Sequence, residues 1–252
     1  MIYFDSRTRA TQLRSHAVTA AAATNISTSL KHSVDLADPI RKDGEAQGMV
    51  HVKGREPLPP PRTTPPAQLD AILDLRRSLL PTSPLSAADL STLLWHSARI
   101  RRAGQDELER PWSSRAAPGA GGVCEIDVVV DDGVTEPWLY DPRRHRSIFL
   151  NGVDAKSLTA ARSRLRNWTP DAVGTALYLV ADFAAMSAQY EFPQTLIWRD
   201  AGALVSVVAL VSTWLGLACC PLGLNGSEMI AALHYAMPAH QPAGVVILGH
   251  DA

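Results

Sequence analysis

Residues 200–228 read DAGALVSVVALVSTWLGLACCPLGLNGSE, and between Asp200 and Glu228 no side chain is charged. A membrane-spanning helix needs about 20 mostly apolar residues, with basic flanks or an aromatic belt at its ends. The length suffices, but the flanks do not. Arg199 is answered at once by Asp200, and the far side is Asn225, Gly226, Ser227 and Glu228. Cys220-Pro221 and Leu222-Gly223 break a helix before the apolar run ends, which leaves a helix of roughly 17 residues followed by an extended or looped apolar piece. A helix apolar all round is either a span or the centre of a sizeable core. The flanks favour the core, so no membrane is expected.

With 252 residues and 46% hydrophobic content, the chain can bury one substantial core or two small ones, and one main domain with an appended tail is the simplest arrangement. A formal charge of -1 and a pI near 6.7 give no overall attraction to nucleic acid or anionic lipid. The three cysteines are Cys124, Cys219 and Cys220, an odd number with the last two adjacent in apolar surroundings. That usage fits a reduced compartment and not a disulfide framework. The opening MIYFDSRTRATQLRSH lacks the uninterrupted apolar stretch of a secretory signal. Residues 7–32 are rich in Arg, Ser, Thr and Ala; they faintly resemble a transit peptide but read as a solvated arm. The expected location is the cytoplasm.

Residues 1–56 show weak periodicity and read as a tail, and PLPPPRTTPP at 57–66 reads as a stiff extended connector. The packed domain is expected over 67–252. Leu69, Ile72, Leu73, Leu75 and Leu79 predict a helix over about 67–80, halted by Pro81. Ser86 with Asp89 makes a capping-box-like start for a second helix, whose apolar face is Leu90, Leu93, Leu94 and Ala98. EIDVVVDD at 125–132 is a strand by its β-branched content, and PWLYDPRRHRSIFL at 137–150 predicts two strands joined at Asp-Pro-Arg-Arg. ALYLVAD at 176–182 and AGVVILG at 243–249 are further short strands. Helices alternating with strands imply an α+β sandwich, with the sheet inside and helices outside.

Taken singly, the polar constellations are weak. PGAGG at 118–122 could let backbone N–H groups approach an anion, but it fits neither a dinucleotide fingerprint nor a Walker loop. Arg76-Arg77-Ser78 at the end of the first helix reads either as favourable charge at a helix C-terminus or as a phosphate clamp of forked donors with a hydroxyl. Arg143, Arg144, His145 and Arg146 read as a solvated hairpin tip, with no interleaved aromatics to stack on bases. Nucleic acid is therefore not an expected partner. Cys219-Cys220 with His234 and His240 lacks the Cys-x2-Cys spacing of a zinc site and reads as buried structural thiols, so no metal is expected. No serine-hydrolase elbow or His-Glu-x-x-His helix is present.

The order of these pieces is more informative than any one of them. LRRS at 75–78, LSAADLSTLLWHSARI at 85–100, RAAPGAGGVCEIDVVV at 115–130, WLYDPRRHRSIFL at 138–150, QY at 189–190 and WRDAGALVSVVALVSTWLGLACCPLG at 198–223 together resemble the FMN-dependent nitroreductase superfamily. Within it the likeness is to the SagB/ThcOx-type dehydrogenases and runs from about Pro66 to Gly249. The resemblance implies an α+β sandwich with a central antiparallel-rich sheet, acting as a homodimer with FMN at the subunit interface. Arg76 and Ser78 stand where the family grips the FMN phosphate and ribityl chain, with Arg77 beside them. Pro118, Gly119, Ala120 and Gly121 stand on the segment that approaches the flavin. Leu222, Gly223 and Leu224 fall on the loop whose backbone N–H groups face the flavin's N5 edge, and His250 occupies the region of a terminal basic phosphate contact. The implied chemistry is hydride transfer at a water-excluded ring.

The chain departs from the family pattern at three places. Leu80 stands where a second basic residue is frequent, Gly119 replaces Ser, and Gln189-Tyr190 replaces the Lys-Tyr pair of thiazole and oxazole dehydrogenases. Gln cannot act as a general base, so Tyr190 alone keeps a proton-transfer role, against the alternative of a half-buried Tyr at a helix end. The implied reaction is dehydrogenation of azoline rings to azoles on a modified peptide, with a cyclodehydratase partner. The alternatives are NAD(P)H-dependent reduction of nitro compounds or quinones, on a small-molecule substrate, and a non-catalytic flavin-fold scaffold subunit.

Overall fold

The computed structural model describes residues 50–105, 111–119, 126–187, 190 and 192–251. The expected tail up to residue 49, with Ala120, Gly121 and Gln189, lies outside the described residues. A seven-stranded antiparallel sheet organises the chain, in the order β1-β6-β5-β4-β7-β9-β8. Its strands are β1 (Val52–Pro57), β4 (Ile126–Asp131), β5 (Trp138–Asp141), β6 (Arg146–Leu150), β7 (Thr175–Asp182), β8 (Ala218–Leu222) and β9 (His240–Gly249). The short hairpin β2 (Arg102–Gln105) and β3 (Pro111–Ser114) stands apart from it. The helices are α1 (Leu69–Leu75), α2 (Ala87–Ser97), α3 (Ala155–Trp168), α4 (Phe183–Ser187), α5 (Pro193–Trp214) and α6 (Ser227–Ala232).

Strand alternation sorts the core into two layers. Ile126, Val128 and Val130 of β4 and Leu177 and Leu179 of β7 point to the side covered by α2 and α5, where they meet Leu93, Leu94, Leu204 and Val208. Val129, Tyr178 and Val180 point to the other side, against Leu158 and Ala161 of α3 and Met229 and Ala232 of α6. The α+β sandwich expected from the sequence is the observed architecture.

Helix α2 starts as its sequence predicts, because Ser86 accepts a hydrogen bond from the Asp89 backbone N–H at 3.1 Å and so satisfies a donor of the first turn. The first helix is shorter than expected. It stops at Leu75, since Arg76 turns extended (ψ 124°) and the Leu79 N–H goes instead to the Cys219 carbonyl of β8. Helix α5 is longer than expected, with Pro193 opening it at a position where the lost N–H is unneeded. Its burial also differs from that of a central core helix. Within one chain Ile197, Ala201, Leu204, Val208, Ala209 and Ser212 are buried, whereas Val205, Val207 and Val211 are only half-buried.

The packed unit begins before the Pro-rich segment, because Val52–Pro57 pairs with β6. Residues 57–66 then run as a strap tied down on α2 and α5. The Leu58 N–H donates to the His145 carbonyl (3.3 Å), the Arg62 N–H to Thr92 Oγ1 (2.9 Å), and the Trp214 indole N–H to the Pro65 carbonyl (2.9 Å). The Arg62 guanidinium also pairs with Asp89 at 2.6 Å.

Candidate functional site

The segment after α1 carries the expected phosphate clamp along the open edge of the sheet. Arg76 is half-buried and has no ion-pair or side-chain hydrogen-bond partner among the described residues, and Ser78 is exposed beside it. A guanidinium without a carboxylate, next to a free hydroxyl, suits an anion. Arg77 follows the blander reading: its Nη1 donates to the carbonyls of Asp74 (2.6 Å) and Arg76 (2.9 Å), so it caps the end of α1. Leu80 is exposed one turn of chain further on.

Backbone pairing holds the clamp in place. Leu79 is bonded to β8, and Ser83 forms an antiparallel bridge with His250, whose N–H reaches the Ser83 carbonyl at 2.9 Å. The His250 ring is turned toward α2, with Nε2 3.3 Å from Asp89 Oδ2, and Asp89 is the residue that also pairs with Arg62. Sequence reading saw Asp89 as a capping residue and missed that it links the strap to the chain terminus.

Leu222 and Leu224 pack into the α3/α6 layer, which leaves Gly223 exposed between them. The ring of Trp168, at the end of α3, lies beside it: a Cβ on Gly223 would sit 3.7 Å from that ring. Cys219, next along β8, is a buried free thiol whose pKa burial pushes up to about 11, against a small opposing pull from the Ser212 hydroxyl and Arg76. It is a structural thiol and not a nucleophile.

Pro118 and Gly119 lie elsewhere. Gly119 sits against Asp200, near the start of α5, and no hydrogen bond or ion pair joins Pro118–Gly119 to Arg76–Ser78 or to Leu222–Leu224 among the described residues. Gly119 is thus placed against α5, and the Arg76–Ser78 segment against β8 through Leu79. Tyr190 belongs to the α5 layer, half-buried, with its N–H bonded to the Met186 carbonyl at 2.9 Å.

The basic hairpin is not a solvated tip. The buried Asp141 carboxylate accepts from the Arg143 and Arg144 N–H groups and from Arg146 Nε at 2.8 Å. His145 takes a left-handed backbone (φ 50°) that turns its ring inward. Its Nδ1 lies 2.8 Å from Tyr140 Oη and its Nε2 2.8 Å from Ser91 Oγ, and Ser91 in turn donates to the Pro59 carbonyl. Because the one Ser91 proton is used there, Nε2–H is the donor to Ser91 and Tyr140 donates to Nδ1. Burial, with the Arg99 charge, lowers the His145 pKa and keeps the ring neutral. With Ser91 fully buried, this resembles a triad in geometry only; it anchors the strap.

No family model matches the sequence, and no curated protein does. Solved structures do match in fold. A protein of Ralstonia eutropha JMP134, named only provisionally as a nitroreductase, is 22% identical over 85% of this chain and 98% of its own, with a TM-score of 0.57. A chain of the Escherichia coli microcin synthetase McbBCD complex, solved with truncated pro-MccB17 bound, is 16% identical over 94% and 96%, with a TM-score of 0.52. The protein therefore has the nitroreductase-like α+β fold.

Proposed function

We propose that the chain is an FMN-dependent oxidoreductase of the SagB/ThcOx group, working in the cytoplasm as a homodimer that holds the flavin where two copies meet. The observation that carries this is the half-buried Arg76, whose guanidinium has no ion-pair or side-chain hydrogen-bond partner among the described residues, in a chain with the nitroreductase-like fold. Leu69, Leu73 and Leu75 of α1 are 63%, 55% and 69% exposed and lie beside the half-covered face of α5, an apolar surface that a second copy would bury. The family resemblance implies a flavin at such a subunit interface.

Bound FMN would supply reversible hydride acceptance at N5. Arg76 and Ser78 would grip its phosphate, and the exposed backbone at Gly223 would leave room for the ring edge, with Trp168 shielding that edge from water. Tyr190 would pass a proton to or from the substrate. His250 is better placed as a support for the clamp, through Asp89, than as a direct phosphate ligand.

The finer reading is azoline-to-azole dehydrogenation on a modified peptide delivered with a cyclodehydratase partner. Likeness to a chain of a peptide-bound microcin synthetase complex supports it. The provisional name of the Ralstonia eutropha neighbour favours NAD(P)H-driven reduction of a small molecule as the second reading. Anaerobic mixing of the flavin-loaded protein with NAD(P)H or an azoline peptide tests both: bleaching by the peptide alone supports the first, bleaching by NAD(P)H supports the second, and bleaching by neither sinks both.

A further inference from the structure

Gly119 is the place where the chain abandons the serine of its resembled family, and the structure supplies a reason. A Cβ built there would lie 3.0 Å from Asp200 Cγ and 3.1 Å from Oδ2, tighter than ordinary packing allows. The Asp200 carboxylate thus occupies the volume that a side chain at position 119 would take. Asp200 stands on α5 directly before the buried Ala201, so the helix core fixes its position. The segment's ends are also fixed: Arg115 Nη1 donates to the Ile126 carbonyl at 2.5 Å, closing the chain between β3 and β4. Between those ends, Asp200 is the group that Gly119 meets.

We propose that Asp200 is a positioning residue, which sets where Pro118–Gly119 lies along α5 and hence where that segment presents its backbone to a ligand. For the flavin this rests on the function proposed above; for the protein's own conformation it does not. The volume of that carboxylate is what a side chain at 119 would contend with. Removing it frees the segment, and adding a side chain at 119 displaces it. Replacing both together exchanges one filler for another, because a serine hydroxymethyl enters the space that the carboxylate leaves.

The test is a double-mutant cycle on the full-length chain, read first without flavin. Amide hydrogen exchange at Arg115, Ala116, Ala117 and Gly119 is expected to speed up by about tenfold in Asp200→Ala and in Gly119→Ser, and to return toward the wild-type rate in the double variant. Additive effects, or rates unchanged in both single variants, would overturn the proposal. FMN affinity, measured on the same four proteins, is expected to fall and recover in the same pattern. A wild-type protein that binds no FMN defeats the flavin reading, and the exchange cycle then still decides the role of Asp200.

Discussion

Leu79 donates its backbone N–H to the Cys219 carbonyl oxygen across 3.0 Å, which docks the segment carrying Arg76 and Ser78 on the edge strand of the sheet. The bond satisfies one carbonyl of an edge strand that would otherwise leave it bare.

Arg76→Ala is expected to weaken FMN binding by about 10- to 100-fold, the equivalent of one or two charge-assisted hydrogen bonds, with the melting temperature of the flavin-free protein unchanged. Arg77→Ala should do far less to FMN, because its guanidinium is already spent on the carbonyls of Asp74 and Arg76. Flavin fluorescence titration separates the two, and equal losses would mean that both arginines face the ligand.

Gly249 shows how tightly the segment beyond the clamp is held. A Cβ there would collide with the Ser83 carbonyl oxygen and come within 2.6 Å of Pro81 Cβ. Gly249→Ala should therefore destabilise the fold by about 2 kcal/mol or more and loosen the clamp with it. Urea unfolding read by fluorescence checks the first effect; a midpoint equal to wild type would mean that the chain relaxes freely.

Acid should weaken the strap. Burial lowers the folded-state pKa of His145 below the ordinary value of about 6.5. The unfolded chain thus takes up a proton first as pH falls. The His145 contribution is complete above about pH 6.5 and declines below it toward the folded-state pKa. His96 shifts the same way, through burial and then Arg101 and Arg99. His145→Gln should lower stability at pH 7.5 and flatten the dependence just below about pH 6.5. A slope as steep as wild type over that interval would remove His145 as its cause.

Tyr190→Phe keeps the ring that packs against the α5 layer and removes only the hydroxyl. If the hydroxyl moves the proton, turnover should drop by about a hundredfold with flavin content intact. Undiminished turnover would make Tyr190 structural.

Much of the fold was legible because the signals were local. Ser86 and Asp89 announced α2 within three residues, and the β-branched run at 126–130 could be little else than a buried strand. Helix α3 went unseen because its apolar stripe is only Leu158, Ala161 and Leu165 on an otherwise charged surface, although Asp154 does cap it through the Ser157 N–H at 2.7 Å. Strand β1 was hidden for a similar reason, since VKGREP is polar on both faces and its place is set by pairing with β6. The end of α1 at Leu75 depends on a carbonyl 140 positions further along the chain (219 minus 79), which no window of sequence contains.

The candidate site was legible through the order of its motifs and not through spacing. Leu79, next to Ser78, is bonded to Cys219 of β8, while Gly119 stands with Asp200. His145 looked like part of a charged turn because Ser91 and Tyr140, which draw it inward, lie on other elements.

Sedimentation velocity of the FMN-reconstituted protein, followed at the visible absorbance of the flavin, decides whether two chains share the flavin. The flavin is expected to travel with a species of two chains, and a monomeric fraction is expected to carry none. Flavin bound stoichiometrically to a single chain, or a two-chain species that stays colourless, would contradict this.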